Sequence, residues 1–526
     1  MSFLDKIVAQ RVLDVAEAKA RVSEDELRGK IGARGAPADL AAIIRGAAPM
    51  GLLAEMKRAS PSKGDISVGV DAAQQGLTYA LAGACTISVL TEPTWFKGSL
   101  ADMAQVRQAL DAVPLGRQVG VLRKDFLIDE YQLLEARAHG ADTALLIVAI
   151  LSAERLTAMI AASRALGMEP LVEVNTEEEM CTALQVGAKV IGVNNRNLHT
   201  FEVDMGTTGR LAAMLPPGGD HQLIALSGVA TAADVQSFAA TGARAVLVGE
   251  SLMRAAKPAS LIRSLLSRPE PVTLCKTCGI RDAAAAAAAT AAGADLIGVI
   301  FAKSKRQVTE EGAREIVAAV RARRPRSREW RMPTLPMPTD GVDGGAAGAR
   351  RWLQLWSELL EQTVAAAGPL VVGVFVNASA EEMNMTAERV GLDLIQLHGD
   401  EGWEISRELC RPAIRVLHID PSAEDNADVG VRAGTAAAVL LDSKGGGTGK
   451  TFDWRVTAAL GEDTPFLLAG GLGPDNVADA VRAARPWCVD VSSGIETDGV
   501  KDHAKIEAFV RAAKAAGARP DEAAQR

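Results

Sequence analysis

Short, continuously apolar segments alternate with helix-patterned ones along most of this chain, and the alternation runs to eight, stops, and starts again. The first strand segments are LLAEMKR, CTISVLTE, QVGVLRKDF, TALLIVAI, EPLVEV, KVIGVNNR, QLIALSG and RAVLVGE, with helical runs such as AERLTAMIAASRALG between them. Strands apolar on both faces and separated by helices imply a parallel sheet covered on each side. Eight such units are the count of a closed (β/α)8 barrel. The series closes at Ala259-Ser260-Leu261-Ile262, and Ser267-Arg268-Pro269-Glu270-Pro271 reads as a linker. It restarts with TLCKTCGI, DLIGVIFA, LVVGVFV, LDLIQLHG, AIRVLHID, AAVLLDS, PFLLAGGL and WCVDVSSGIE. The fold class is therefore α/β, two consecutive TIM barrels. The first spans residues 1–268 with an N-terminal helical extension to about Pro49; the second spans 272–520 with an insertion at about 322–367. A length of 526 residues accommodates two barrels of roughly 250.

Composition narrows the function classes. A formal charge of −8 argues against a general nucleic-acid binder. The opening MSFLDKIVAQRVLDVAEAKA carries charges throughout, which makes an amphipathic helix and not a secretory signal. No run reaches the roughly 18 uncharged apolar residues of a membrane helix. Six scattered cysteines fit a reducing compartment without a disulfide framework. A cytoplasmic monomer is expected, with no nucleic-acid or membrane partner.

Two stretches depart from the rhythm. The alanine run after Asp282 falls where the second barrel's first helix belongs, and helix propensity accounts for it. Between that barrel's second helix and third strand lies an Arg/Pro/Gly-rich segment that becomes helical, with Trp352, Leu355, Trp356 and Leu359 on one face. A helix-to-strand connection belongs to the face opposite catalysis. A surface insertion with one docked helix is expected, a domain or subunit contact being the alternative.

In such barrels the side chains at the C-terminal strand ends converge on one mouth. In the first barrel these are Glu55 and Lys57 on one face of strand one, Lys124 after strand three, Glu173 on strand five, Asn194 and Arg196 after strand six, and Ser227-Gly228 after strand seven. A bare structural salt bridge would explain Glu55 and Lys57 alone. The loop Ala59-Ser60-Pro61-Ser62-Lys63-Gly64 that follows suits an anionic substrate instead. Lysines and carboxylates together can protonate a carbonyl oxygen, remove a proton and stabilise an anion. Both barrels also end in matched glycine turns, ALSGVATAADVQSFAATGARAVLVGES and LAGGLGPDNVADAVRAARPWCVDVSSGIE, of the kind that bind phosphate through backbone N–H groups. Tight turning alone is the plainer reading of either one.

Cys275-Lys276-Thr277-Cys278 lacks the second ligand pair of a zinc site, and it lies in a strand where a thioredoxin motif would open a helix. A lone thiolate at Cys278 and a buried apolar cysteine remain as readings. Asp442 ends strand six before Ser443-Lys444-Gly445-Gly446-Gly447-Thr448-Gly449-Lys450-Thr451, whose spacing puts Lys444 where a P-loop needs glycine.

The ordered set LLAEMKRASPSKG, VLRKDFLID, LVEV, IGVNNRNL and VLVGESLMR resembles indole-3-glycerol-phosphate synthase over about residues 1–265. The resemblance implies Lys124 as general acid on a substrate ketone, Glu173 as later proton acceptor, and Glu55, Lys57 and Asn194 as supporting catalytic residues. It implies Arg196 near the anthranilate carboxylate, and Ser60, Ser227, Gly228, Gly249 and Glu250 around the phosphate. This chain has Leu226 where that family usually has glutamate, so the general-acid lysine is expected to lose its proton at lower pH than in a glutamate-bearing relative, giving an active but slower synthase with an early fall on its alkaline limb.

The set LCKTCGI, VFVN, LIQLHGDE, LLDSKGGGTGKTFDW, LLAGGL and DVSSGIE resembles phosphoribosylanthranilate isomerase over about residues 272–515. That implies Asp442 as general acid and Cys278 as base, with Arg306 on the substrate carboxylate. Gly446, Gly447, Gly470, Gly471, Ser493 and Gly494 then surround phosphate, with His398 and Asp490 at strand ends. Lys305 replaces the usual proline before Arg306, a change expected to loosen the loop. Together the resemblances imply a bifunctional tryptophan-biosynthesis enzyme acting on phosphorylated anthranilate–ribose compounds, with no metal and no cofactor. The alternatives are one active barrel beside a stabilising module, or an anion-binding scaffold.

Overall fold

The computed structural model describes residues 2–198, 200–327, 329–337, 345–419, 431–443, 454, 457 and 463–518. The chain divides into two compact units, Met1–Glu270 and Pro271–Arg526, each built around one closed parallel barrel. In the first, the strands in order are β1 (Gly51–Met56), β2 (Thr86–Leu90), β3 (Gly120–Lys124), β4 (Thr143–Ile147), β5 (Leu171–Val174), β6 (Val190–Asn194), β7 (Gln222–Leu226) and β8 (Ala245–Val248). Each pairs with its sequence neighbours, and β8 closes onto β1 through Gly51–Ala245 to Ala54–Val248. The second repeats this with β9 (Leu274–Thr277), β10 (Leu296–Ile300), β11 (Leu370–Phe375), β12 (Leu394–Leu397), β13 (Ala413–Ile419), β14 (Ala438–Ser443), β15 (Leu467–Leu468) and β16 (Cys488–Val491). All sixteen strand segments expected from the sequence are present.

Local chemistry explains the element boundaries. Helices after the strands open on side-chain caps that satisfy otherwise unpaired N–H groups: Asp71 accepts from Gln74 N, Ser99 from Asp102 N, Thr176 from Glu179 N and Thr231 from Asp234 N. The alanine run is the helix Ala283–Ala292, capped by Asp282. One return motif recurs three times. Gly140, Gly293 and Gly391 take left-handed φ of 94°, 91° and 84° after a helix, and an aspartate follows two residues later. Asp142, Asp295 and Asp393 then each accept the N–H of the second residue of the preceding strand, Val121, Cys275 and Val371. Arg107, Lys514 and Arg326 respectively neutralise these carboxylates.

The N-terminal helices Phe3–Arg21 and Leu40–Gly46 are part of the first core, where Leu4, Ile7, Leu40 and Ile44 pack with Leu53, Leu122, Leu145 and Ile224. In the second unit the insertion docks one helix against the barrel. Its helix Gly345–Ala367 buries Trp352, Leu353, Leu355, Trp356, Leu359 and Leu360. Trp352 Nε1 donates to Ala436 O, Gln354 Nε2 to Asp463 O, and Glu361 accepts from Trp487 Nε1. Those partners lie a few residues before β14, β15 and β16, so the helix packs where these strands begin, away from their catalytic ends.

Candidate active sites

Strand ends of the first barrel surround a cavity of about 420 Å³ lined by Glu55, Lys57, Lys124, Glu173, Asn194 and Arg196, with Ser60, Ser227, Gly228, Gly249 and Glu250 along its wall. Lys57 Nζ lies 2.7 Å from Glu55 Oε1, and Lys124 Nζ 3.6 Å from Glu173 Oε2. Asn194 Nδ2 donates to Glu173 Oε1 at 2.9 Å, which orients the carboxylate, while Oε2 accepts no hydrogen bond among the described residues. Burial raises the Glu55 pKa, but Lys57, Lys124 and Arg196 outweigh it, and the net shift is downward. For Lys124 burial acts downward, while Glu173 and Glu55 more than compensate, so it is held protonated. The charges of the mouth thus reverse the effect an apolar Leu226 has by itself. Leu226 ends β7, and its side chain fills a notch left by Gly192: a Cβ there would sit 2.8 Å from Leu226 Cδ1.

Glycine does specific work at two points of this wall. A Cβ at Gly249 would fall 2.4 Å from Glu55 Oε1, so only glycine lets the carboxylate in. Gly228 has φ of 89° and follows Ser227, itself at 66°, in a turn that Asn195 holds by donating to the carbonyls of Leu226 and Ser227. The Glu250 side chain faces Lys63, at 3.9 Å, and Arg254, at 3.2 Å. Lys63 belongs to the loop read as suited to an anion; Arg254 is a cation that motif spacing did not single out. Phe96, Phe126, Leu198 and Phe201 supply an apolar side to the cavity.

The second barrel's cavity, about 230 Å³, is lined by Cys278, Arg306, His398, Asp442 and Asp490, with Gly470, Gly471 and Ser493. Cys278 follows β9 directly, and Gly298 makes room for it: a Cβ there would meet Sγ at 2.7 Å. Lys276 is fully buried and pairs with Asp490 Oδ2 at 3.0 Å. Burial pushes the Cys278 thiol up, with Lys276 opposing, and the net shift is upward. Burial and Asp490 push Asp442 up as well. His398 Nε2 lies 3.8 Å from Asp442 Oδ2, and burial together with His418 brings its pKa down to about 4, so the ring is neutral. Asp490 Oδ1 and Gln396 Oε1 are buried acceptors without a partner among the described residues. Gly494 meets the turn after β15 so closely that a Cβ would sit 2.0 Å from Leu472 O. Gly446 and Gly447 lie outside the described residues.

Arg306 is anchored from outside its own loop. Its Nε and Nη2 donate to Glu496 Oε1 and Oε2 at 2.6 and 2.9 Å. Glu496 sits in the quoted DVSSGIE segment, but nothing in its spacing marks it as a partner 190 residues from Arg306.

Each half is therefore a (β/α)8 barrel of enzymatic type, with an acid–base mouth at its C-terminal strand ends flanked by glycine turns. Residues 4–265 match the family model of indole-3-glycerol phosphate synthase, and residues 350–512 that of N-(5'-phosphoribosyl)anthranilate isomerase. The multifunctional tryptophan biosynthesis protein of Phycomyces blakesleeanus is 47% identical over 549 aligned positions, covering 98% of this chain and 69% of that protein. The tryptophan biosynthesis protein TRP1 of Phytophthora nicotianae is 42% identical, covering 98% and 97%. An indole-3-glycerol phosphate synthase of Roseiflexus sp. is 43% identical to half of this chain and covered over 98% of its own length. The chain belongs to the multifunctional tryptophan-biosynthesis enzymes, with a synthase barrel followed by an isomerase barrel. The isomerase family model matches from Arg350 onward, and the full-length relatives also cover the stretch that holds Cys278 and Arg306. Among the described residues no helix is long and apolar enough to cross a membrane.

Proposed function

We propose that the C-terminal barrel converts N-(5-phosphoribosyl)anthranilate to 1-(2-carboxyphenylamino)-1-deoxyribulose 5-phosphate, and that the N-terminal barrel closes the indole ring of this product with loss of carbon dioxide and water. In the isomerase, Asp442 gives its proton to the ribose ring oxygen as the ring opens, and Cys278 removes the C2′ proton of the resulting iminium. The enolamine then tautomerises to the ketone. In the synthase, Lys124 protonates the ketone oxygen as the new carbon–carbon bond forms; after carbon dioxide leaves, the hydroxyl so made departs as water with a proton from the same mouth, and Glu173 accepts the adjacent ring carbon's proton as the indole double bond forms. Glu55, Lys57 and Asn194 fix these two groups, and Arg196 faces the carboxylate. The glycine turns and Ser60 in one barrel, and Ser493 and Gly494 in the other, hold phosphate. Acids, bases and fixed donors account for both reactions.

The observation that carries this reading is the convergence, in each cavity, of a proton donor and an acceptor from different strand ends: Lys124 with Glu173, and Asp442 across from Cys278. The two activities are to be assayed separately on the full chain. Lys124→Ala should cost the synthase ~10²–10⁴-fold in kcat and leave the isomerase near normal; Cys278→Ala and Asp442→Asn should do the reverse. Full isomerase turnover by Cys278→Ala would exclude that thiol as the base.

A further inference from the structure

We propose that Glu496 is a positioning residue for Arg306: it fixes the guanidinium with one edge toward the isomerase cavity and so sets the spacing between the substrate's carboxylate and phosphate sites. This rests on Arg306 being the carboxylate ligand. Glu496 occupies Nε and Nη2, while Nη1 has no hydrogen-bond partner among the described residues, and Arg306 lines the cavity. The arginine stem crosses Gly279, which has φ of 69° and where a Cβ would lie 2.7 Å from Cδ. Glu496 is itself pinned. Lys501 Nζ donates to its Oε1 at 2.9 Å and to Ser492 O at 2.7 Å, and Lys505 Nζ donates to its main-chain carbonyl at 2.8 Å.

Glu496 begins the two-residue strand Glu496–Thr497, which pairs with Val500–Lys501 directly after the Ser493-Gly494 turn. One short hairpin therefore carries both the phosphate-side turn and the anchor of the carboxylate-side arginine. The charges agree with this use. Arg306 and Lys501 both pair with Glu496, so these three side chains together carry one net positive charge, which one substrate carboxylate neutralises. A carboxylate that merely competed with substrate would not need one lysine on its side chain and a second on its main chain to hold it in place. An unanchored arginine has many rotamers and loses binding when it must be ordered anew.

The test uses the full-length chain and steady-state isomerase kinetics, with synthase activity as the control for an intact protein. Glu496→Gln should raise KM about tenfold with kcat within about threefold, the mark of lost binding common to ground and transition states. Glu496→Asp, which retains the charge, should fall between the two and serves if the glutamine variant does not fold. Competition by inorganic phosphate should be unchanged in both variants. An unchanged or lowered KM, or an equal loss of phosphate and substrate affinity, would overturn the proposal. Arg306→Met separates the two layers. If it leaves KM unaltered, the carboxylate assignment is wrong; if it raises KM while Glu496→Gln does not, only the positioning role fails.

Discussion

Around Lys124 burial and charge act in opposite directions, and charge prevails. A lysine whose pKa is raised remains a competent acid at every pH below that value, so the early alkaline decline that Leu226 alone would cause should be absent. Synthase kcat under single-turnover conditions is expected to hold up to at least the ordinary lysine value of 10.5 wherever the fold survives. Leu226→Glu should move that limb further up, since a new carboxylate adds to Glu55 and Glu173. A limb that stays in place in the folded variant would mean position 226 does not act on the lysine. In the isomerase the competent form needs Asp442 protonated and Cys278 ionised, while the acid's pKa lies below the thiol's. That is the minority state at every pH. The kcat/KM profile is nonetheless a bell, with an acid limb reporting Asp442 above the ordinary 3.8 and an alkaline limb reporting Cys278 above the ordinary 9.0. An alkaline limb well below 9 would show that the thiol is not held up by burial.

At the scale of elements, the helix Gly345–Ala367 matters for the stability of the second barrel and not for its chemistry. Trp352→Ala removes a buried indole and leaves the carbonyl of Ala436 without its donor. A loss of about 3–5 kcal/mol is expected from the cavity alone, read as a lower denaturation midpoint for isomerase activity with kcat at 25 °C near normal. Unchanged stability would show that the helix is an appended surface element after all. The arginine-rich approach to this helix is also structural in part. Arg326 pairs with Asp393 at 2.6 Å and donates to the carbonyls of Ala367 and Pro369, so a harmless shortening of the insertion must begin after it.

For the whole molecule, each unit contains a closed barrel with its own buried residues and its own mouth. Chains cut between Glu270 and Pro271 should each fold and keep their own activity within a few-fold, measured as kcat for the two substrates separately. Failure of one half to fold in isolation would show that its core depends on the other. The same independence predicts that phosphate inhibits each activity through its own site.

The alternation of apolar strands with capped helices was enough to read two eight-stranded barrels, because burial on both faces leaves parallel strands no polar side to conceal. Ordered motifs were also enough to place Lys124, Glu173, Cys278 and Asp442 at strand ends, since a strand's length and direction assign its last residue to one mouth. Net protonation was not legible. Leu226 pointed one way, and the summed field of Glu55 and Glu173 went the other. Nor were the spaces that admit the reacting groups, Gly249 beside Glu55 and Gly298 beside Cys278, because a missing Cβ signifies only once its neighbour is known. The pairings of Arg306 with Glu496 and of Trp352 with Ala436 are of the same kind. Sequence periodicity reports which face of an element is buried; which distant residue meets that face is decided when the barrel closes.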